Sequence, residues 1–219
     1  MRLVITGASQ GLGLVCCESF KEHEVFRMSR NEVPNKIQFN WKHWDSIDAV
    51  VHTSGGGMGL RNPLLHPGEL YKLFRLNLGE AVEINRFVLP HMKEKHRGNI
   101  VHVCSIAAGE AVGSVGYNTV KAALGAYVRS IGREMAPYGV VVTGIAPGGF
   151  QSPQGAMERL ERDNPQAYQK FVSERLPRGF MGKAGELMPL LRFLLSPEAS
   201  MMGGCVVPID AGEGRYYSA

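Results

Sequence analysis

Cysteine is scarce: the 219 residues contain Cys16, Cys17, Cys104 and Cys205, and no two of them form a Cys-x-x-Cys pair. Neither a disulfide framework nor a structural zinc site is expected from that pattern. The seven histidines are scattered, without an HExxH arrangement, so a zinc-protease helix is excluded as well. No apolar run is long enough to span a bilayer. Basic blocks are missing too, and a net charge of +4 falls short of a nucleic-acid-binding surface. No nucleic-acid and no membrane partner is therefore expected. The chain opens at once on a strand-like run, Arg2-Leu3-Val4-Ile5, with nothing that reads as a leader, and the cytoplasm is the expected compartment. No repeat, linker or low-complexity stretch divides it, so residues 1–219 are read as one domain.

What is present is an ordinary globular composition, 44% hydrophobic and 20% charged, arranged in alternating short and long apolar patterns. Buried strands are expected at 3–6, 24–28, 37–40, 49–53, 99–104, 140–145 and 205–209, with helices at 12–22, 67–95, 117–135, 156–175 and 185–195. That alternation predicts an α/β fold with a doubly wound, Rossmann-like parallel sheet. The connections around 31–36 and 41–48 are shorter than a helical crossover needs. Either the helices after the second and third strands are trimmed away, or 37–40 is loop.

The first strand runs into Thr6-Gly7-Ala8-Ser9-Gln10-Gly11-Leu12-Gly13 and then a helix. Gly7 suits a tight turn, Gly11 a close approach of backbone to a pyrophosphate, and Gly13 close packing of the helix. The helix amino terminus would face the phosphates. Farther on, Tyr117 and Lys121 stand four residues apart in a helical pattern and so share a face.

The TGxxxGxG spacing, Asp48-Ala49-Val50-Val51-His52-Thr53-Ser54-Gly55, Leu76-Asn77-Leu78-Gly79, the strand leading to Ser105, Tyr117-Asn118-Thr119-Val120-Lys121, Ala146-Pro147-Gly148 and Pro208-Ile209-Asp210-Ala211-Gly212 together resemble the short-chain dehydrogenase/reductase family. The resemblance runs from Arg2 to Gly212. It implies an enzyme that transfers hydride between a nicotinamide cofactor and a carbonyl or secondary alcohol, most simply a carbonyl reductase. Asn77, Ser105, Tyr117 and Lys121 would be its catalytic set. Tyr117 would exchange the proton, its phenol made more acidic by the Lys121 charge and the oxidised cofactor. Ser105 would bond the substrate oxygen, Lys121 would also hold the nicotinamide ribose, and Asn77 would anchor a relay water or simply satisfy its own helix. Cys104, on an apolar strand, is read as inert packing.

The same resemblance places the cofactor on Gly7, Ser9, Gln10, Gly11, Leu12, Gly13, Ser29, Arg30, Asn40, Thr53, Ser54, Gly55, Tyr117, Lys121, Pro147, Gly148, Phe150 and Ser152. Ser29 stands where NAD-binding relatives carry an acid, and Arg30 offers a guanidinium fork to a 2′-phosphate, so NADP(H) is favoured over NAD(H). A solvated Arg30 is the plainer alternative, and Gln10 replaces a basic residue common in NADP(H)-binding relatives. Departures include Asn40 for Asp, Thr53-Ser54-Gly55 for Asn-Ala-Gly, Thr143 for Asn and Ser152 for Thr.

With so little chain around 31–48, the adenine would lie exposed, and Trp41 or Trp44 would either stack on it or fill the core gap. Residues 150–181 correspond to the substrate lid. Its cations Arg159, Arg162, Lys170, Arg175 and Arg178 read either as a solvated mixed-charge face or as a site for an anionic substrate. A homo-oligomer, tetramer or dimer, is expected. The competing readings are a catalytically silent cofactor-binding scaffold and a sugar-nucleotide epimerase or dehydratase; the latter usually needs a larger substrate domain than this chain can supply.

Overall fold

Leu3-Val4-Ile5 is apolar at every position, and a strand of that kind must be covered on both faces. The computed structural model, which describes residues 1–29 and 44–215, covers it so. The chain folds in the order β1 (Arg2–Thr6), α1 (Gly11–Ser19), β2 (Glu24–Met28), β3 (Ala49–His52), α2 (Pro67–Phe74) and α3 (Glu80–Lys95). There follow β4 (Gly98–Val103), α4 (Val115–Met135), β5 (Val140–Pro147), β6 (Phe150–Gln151), α5 (Ala156–Asp163), α6 (Pro165–Arg175), β7 (Gly182–Lys183), α7 (Met188–Leu194) and β8 (Val206–Ile209). Among the described residues, six strands pair in parallel as β2-β1-β3-β4-β5-β8, and β6 and β7 make a separate pair. Leu3 and Ile5 meet α1 and α7 on one face. Val4, Val50, Ile100 and Val142 meet α3 on the other. Each fully buried aliphatic side chain contributes roughly 1.5–3 kcal/mol. The expected doubly wound sheet is what forms.

Three helices differ from expectation. The stretch 67–95 is not one α-helix: a π-helical turn, Arg75–Gly79, separates α2 from α3. The side chain of Asn77 donates to the Leu73 carbonyl (2.9 Å), a local bond that competes with the regular backbone ladder. The stretch 156–175 splits because Asn164 caps α6 through the Ala167 amide and Pro165 cannot continue α5. The first helix ends at Ser19 rather than 22.

The sequence 37–40, with Arg30, Asn40 and Trp41, lies outside the described residues. Trp44 does not serve an adenine site. It is buried, stacks on Phe87 at 5.4 Å between centroids, and precedes β3, at the sheet edge opposite the strands' carboxyl ends. For Trp44 the core-filling reading holds.

His52 and His102 are register partners across β3 and β4. Their rings stack at 4.6 Å. Asn85 of α3 links them: its Oδ1 accepts from His52 Nε2 (2.9 Å), and its Nδ2 donates to His102 Nε2 (3.4 Å) and to Tyr127 Oη (3.0 Å). His102 Nδ1 is buried without a partner among the described residues. Burial holds His52 down at about 4, against the Asn85 bond that favours its charged form. Burial first, then the His52 and Lys121 charges, keeps His102 well below the usual imidazole value. Both imidazoles are therefore neutral in the folded protein. Below pH about 6.5 the unfolded chain takes up protons that the folded chain refuses, so stability is full above that pH and lost as it falls. We expect urea unfolding to show a loss of about 1.4 kcal/mol per pH unit per histidine on going down from pH about 6.5, continuing toward 4 for His52. His102→Asn should roughly halve that slope; a wild-type stability independent of pH in this window would contradict the assignment.

Candidate active site

In a parallel sheet every strand ends on the same edge. Gly7 after β1, Thr53 after β3, Ser105 after β4 and Gly148 after β5 are therefore gathered along one edge, although up to 141 residues separate them in sequence. The chain leaves β1 for β2 on one side and returns to β3 on the other, so the crevice opens between β1 and β3. Open α/β sheets bind ligands at such a switch point.

The glycine turn is shaped for close approach. Gly7 and Gly11 sit at φ +62° and +61°, where side-chain-bearing residues are strained. A Cβ on Gly13 would lie 2.4 Å from the Gly7 carbonyl and 2.6 Å from Thr53 Oγ1. The expected close packing of α1 is thus directed at the turn and at Thr53, rather than at the sheet in general. Thr6 completes the joint: its carbonyl accepts from Thr53 Oγ1 (2.6 Å), and its hydroxyl accepts from the Thr53 amide (3.1 Å). Gln10 precedes α1 without capping it by its side chain, and Ser9 is exposed while Leu12 is buried. Beside Gly11 a Cβ would meet only Ser152 Oγ, at 3.7 Å, so the residues present fit a dinucleotide phosphate here. The Gly11 amide donates to the Pro153 carbonyl (2.8 Å).

Tyr117 and Lys121 project from the first turns of α4, as their spacing predicts. The Lys121 side chain is 3% exposed. Its Nζ donates to the Val103 carbonyl (2.9 Å) and lies 5.7 Å from the Tyr117 ring centroid. Asn77 holds the opposite wall. Its Oδ1 accepts from the Gly56 amide and its Nδ2 donates to the Gly56 carbonyl, both at 3.0 Å. A Cβ on Gly55 would come 2.8 Å from Asn77 Oδ1 and 3.1 Å from Lys121 Nζ. Gly55, Asn77 and Lys121 therefore meet. Ser105, buried, accepts from the Ala107 amide (3.1 Å), which leaves its own hydroxyl hydrogen to donate elsewhere. Burial pushes the Cys104 thiol up to about 11, as suits inert packing.

On the far side of the crevice, Pro147 ends β5, Gly148 follows, and Phe150 pairs with Gly182. A cavity of about 220 Å³ lies beside this turn, lined in part by Gly148, Phe150, Leu176, Phe180 and Ile209; none of Asn77, Ser105, Tyr117 and Lys121 borders it. Ser29 follows β2, partly buried. The sequence reading missed Thr6, Gly56, the Val103 carbonyl and Glu213. The first three act through backbone or adjoin a motif already noted; Glu213 has no local signal at all.

The fold and this constellation are those of nicotinamide-dependent oxidoreductases. The family described as enoyl-(acyl carrier protein) reductase matches residues 28–213. The 3-oxoacyl-[acyl-carrier-protein] reductase FabG of Aquifex aeolicus is 31% identical over 222 residues, 96% of this chain and 86% of that one. Levodione reductase of Leifsonia aquatica is 30% identical over 177 residues, covering 78% of this chain but only 66% of the relative's length. A crystal structure of levodione reductase superposes with a TM-score of 0.81 over 99% of this chain and 98% of that one, at 24% identity, which speaks to the fold. The chain belongs to the short-chain dehydrogenase/reductase family.

The crowding at Gly55 makes it a sensitive position. Gly55→Ala must displace either Asn77 or the Lys121 ammonium. We expect a fall in turnover of about 10²-fold with the cooperative unfolding transition kept. Wild-type turnover in that variant would mean that this wall does not set the Lys121 position.

Proposed function

We propose that the protein is a carbonyl reductase, working reversibly on a secondary alcohol, with NADP(H) preferred over NAD(H). The observation that carries the reading is the buried Lys121 ammonium on the same helix as Tyr117, walled by Gly55 and Asn77. The turn residues Gly7, Ser9, Gln10, Gly11, Leu12 and Gly13 would hold the pyrophosphate. Ser29 and Arg30 would receive the 2′-phosphate and Asn40 the adenine, while Thr53, Ser54 and Gly55 would line the middle of the dinucleotide. Lys121 and Tyr117 would take the nicotinamide ribose, and Pro147, Gly148, Phe150 and Ser152 the carboxamide side. The nicotinamide, when bound, supplies or accepts the hydride.

The chain's own residues manage the proton. As negative charge grows on the substrate oxygen, Tyr117 gives up its phenolic proton to it, and in the oxidative direction takes one back. The Lys121 charge, little screened in its buried position, stabilises the phenolate oxygen as the proton leaves. Ser105 donates its hydrogen to the same substrate oxygen and so fixes the carbonyl's orientation. Asn77 ties the loop at Gly56 to its helix as well as bonding the Leu73 carbonyl within it, so its role goes beyond satisfying its own helix.

An uncharged substrate suits the lid better than an anionic one. Arg162 pairs with Asp163 (2.7 Å), Lys170 with Glu174 (3.9 Å), Arg175 with Glu213 (2.6 Å) and Arg178 with Glu186 (2.6 Å). Arg159 donates to the Gln154 carbonyl. Each lid cation already has a partner within the chain; Arg162 and Lys170 fit the solvated-face reading, while Arg175 is turned inward on Glu213.

Tyr117→Phe should lower kcat by about 10²–10⁴-fold while leaving cofactor affinity within about threefold. Near-normal turnover would move the proton to another group. For the cofactor, fluorescence titration of the wild type should give tighter binding of NADPH than NADH, and Ser29→Asp combined with Arg30→Ala should reverse the order. Tighter NADH binding by the wild type would overturn the preference.

A further inference from the structure

Ion pairs in the lid are not equivalent. Arg162–Asp163 and Lys170–Glu174 have side chains more than half exposed, and pairs of that kind contribute little. Glu213 is different: its side chain is 2% exposed, against 27% for its partner Arg175. A buried carboxylate is costly unless its oxygens are satisfied. Here each has a separate task. Oε1 pairs with Arg175 Nη2 at 2.6 Å, at the end of lid helix α6. Oε2 accepts from the Gly149 amide, in the turn that follows β5.

The surroundings leave Glu213 nowhere else to go. Asp210 accepts from the Gly212 and Gly214 amides, both at 3.0 Å, and the turn so formed carries Glu213. A Cβ on Gly148 would lie 2.6 Å from Glu213 Oε2. A Cβ on Gly149 would lie 2.9 Å from Phe171 of α6, so the lid rests directly on this turn. The Arg175 guanidinium stands 5.1 Å over the Phe171 ring and donates through Nη1 to the Val112 carbonyl (3.1 Å). Val112 lies on the loop between Ser105 and the start of α4. One carboxylate and one guanidinium thus join four segments: the C-terminal turn, the 147–149 turn, the lid, and the loop that leads to Tyr117.

We propose that Glu213 is a positioning residue which, through Arg175, latches lid helix α6 to the turn after β5, so that the lid and the nicotinamide-side turn take their places together. The proposal rests on reading 150–181 as the substrate lid. Glu213 touches no reacting atom; it acts through Gly149 and Arg175. Burial raises its pKa, with the Asp210 and Glu110 carboxylates adding to the rise, while the Gly149 amide and Arg175 oppose it. The Gly149 amide and Arg175 are thus the groups that favour its carboxylate form.

The test uses Glu213→Gln, Arg175→Met and the double variant, followed by hydrogen–deuterium exchange of the cofactor-free protein. Each single variant should speed exchange by about tenfold in the 147–151 turn and in α6 alike, with β1 unchanged. The double variant should be no faster than either single one, because both remove the same latch. In the reductase reaction with a carbonyl found by screening, KM should rise by about tenfold while kcat changes by less than threefold. If Glu213→Gln proves too unstable to read, Arg175→Lys keeps the charge, loses the fork, and should give an intermediate exchange rate. Unchanged exchange in the turn, or additive effects in the double variant, would overturn the latch. Because exchange is read without catalysis, that failure is distinct from a failure of the hydride-transfer reading, which Tyr117→Phe reports.

Discussion

A buried positive charge organises this structure. Removing an ammonium from water costs several kcal/mol unless something replaces the water. At Lys121 the replacement is the Val103 carbonyl at the end of β4. That bond adds to the apolar packing of Leu124 and Val128, which seats α4 on the sheet and so places Tyr117. Its neighbours are crowded around it: a side chain on Gly55 would run into Lys121 Nζ and Asn77 Oδ1, and Asn77, from the π-helical turn, holds the adjoining loop at Gly56. The chemistry assigned to the crevice depends on a charge that the fold keeps dry.

Much of this was legible in the sequence because the relevant signals are local. Gly7, Gly11 and Gly13 occur within one turn, Tyr117 and Lys121 within one helical repeat, and β-branched runs mark the strands. The parallel sheet then brings these local signals to one edge without further instruction. The reading weakens where structure comes from distant partners. Glu213 and Arg175 are 38 positions apart and each looks like a surface charge. His52 and His102 stand in unremarkable strands, and only the β3–β4 register reveals that their rings stack. The break inside 67–95 depends on one side-chain amide reaching a carbonyl, which helix periodicity does not record.

The two walls of the crevice are stabilised by different means. On the Lys121 side, the bonds between Asn77 and Gly56 and those that Thr6 accepts from Thr53 make the wall part of the core. On the lid side, an ion pair and an aromatic ring hold a helix pair that contributes few buried side chains, Tyr168 and Val172 among them. A rigid wall facing a separately held one suits a site where the proton donor must be fixed while the substrate-covering part remains adjustable.

The bond from the Gly11 amide to the Pro153 carbonyl has a bearing on how a dinucleotide would come and go. A phosphate arriving at this turn exchanges one acceptor for another, so its net gain is smaller than the bond it makes. Its departure leaves no stranded donor, since the carbonyl is at hand to reclaim the amide. The same amide would thus be passed between two acceptors, one belonging to the chain and one to its visitor, and would be paired in either state.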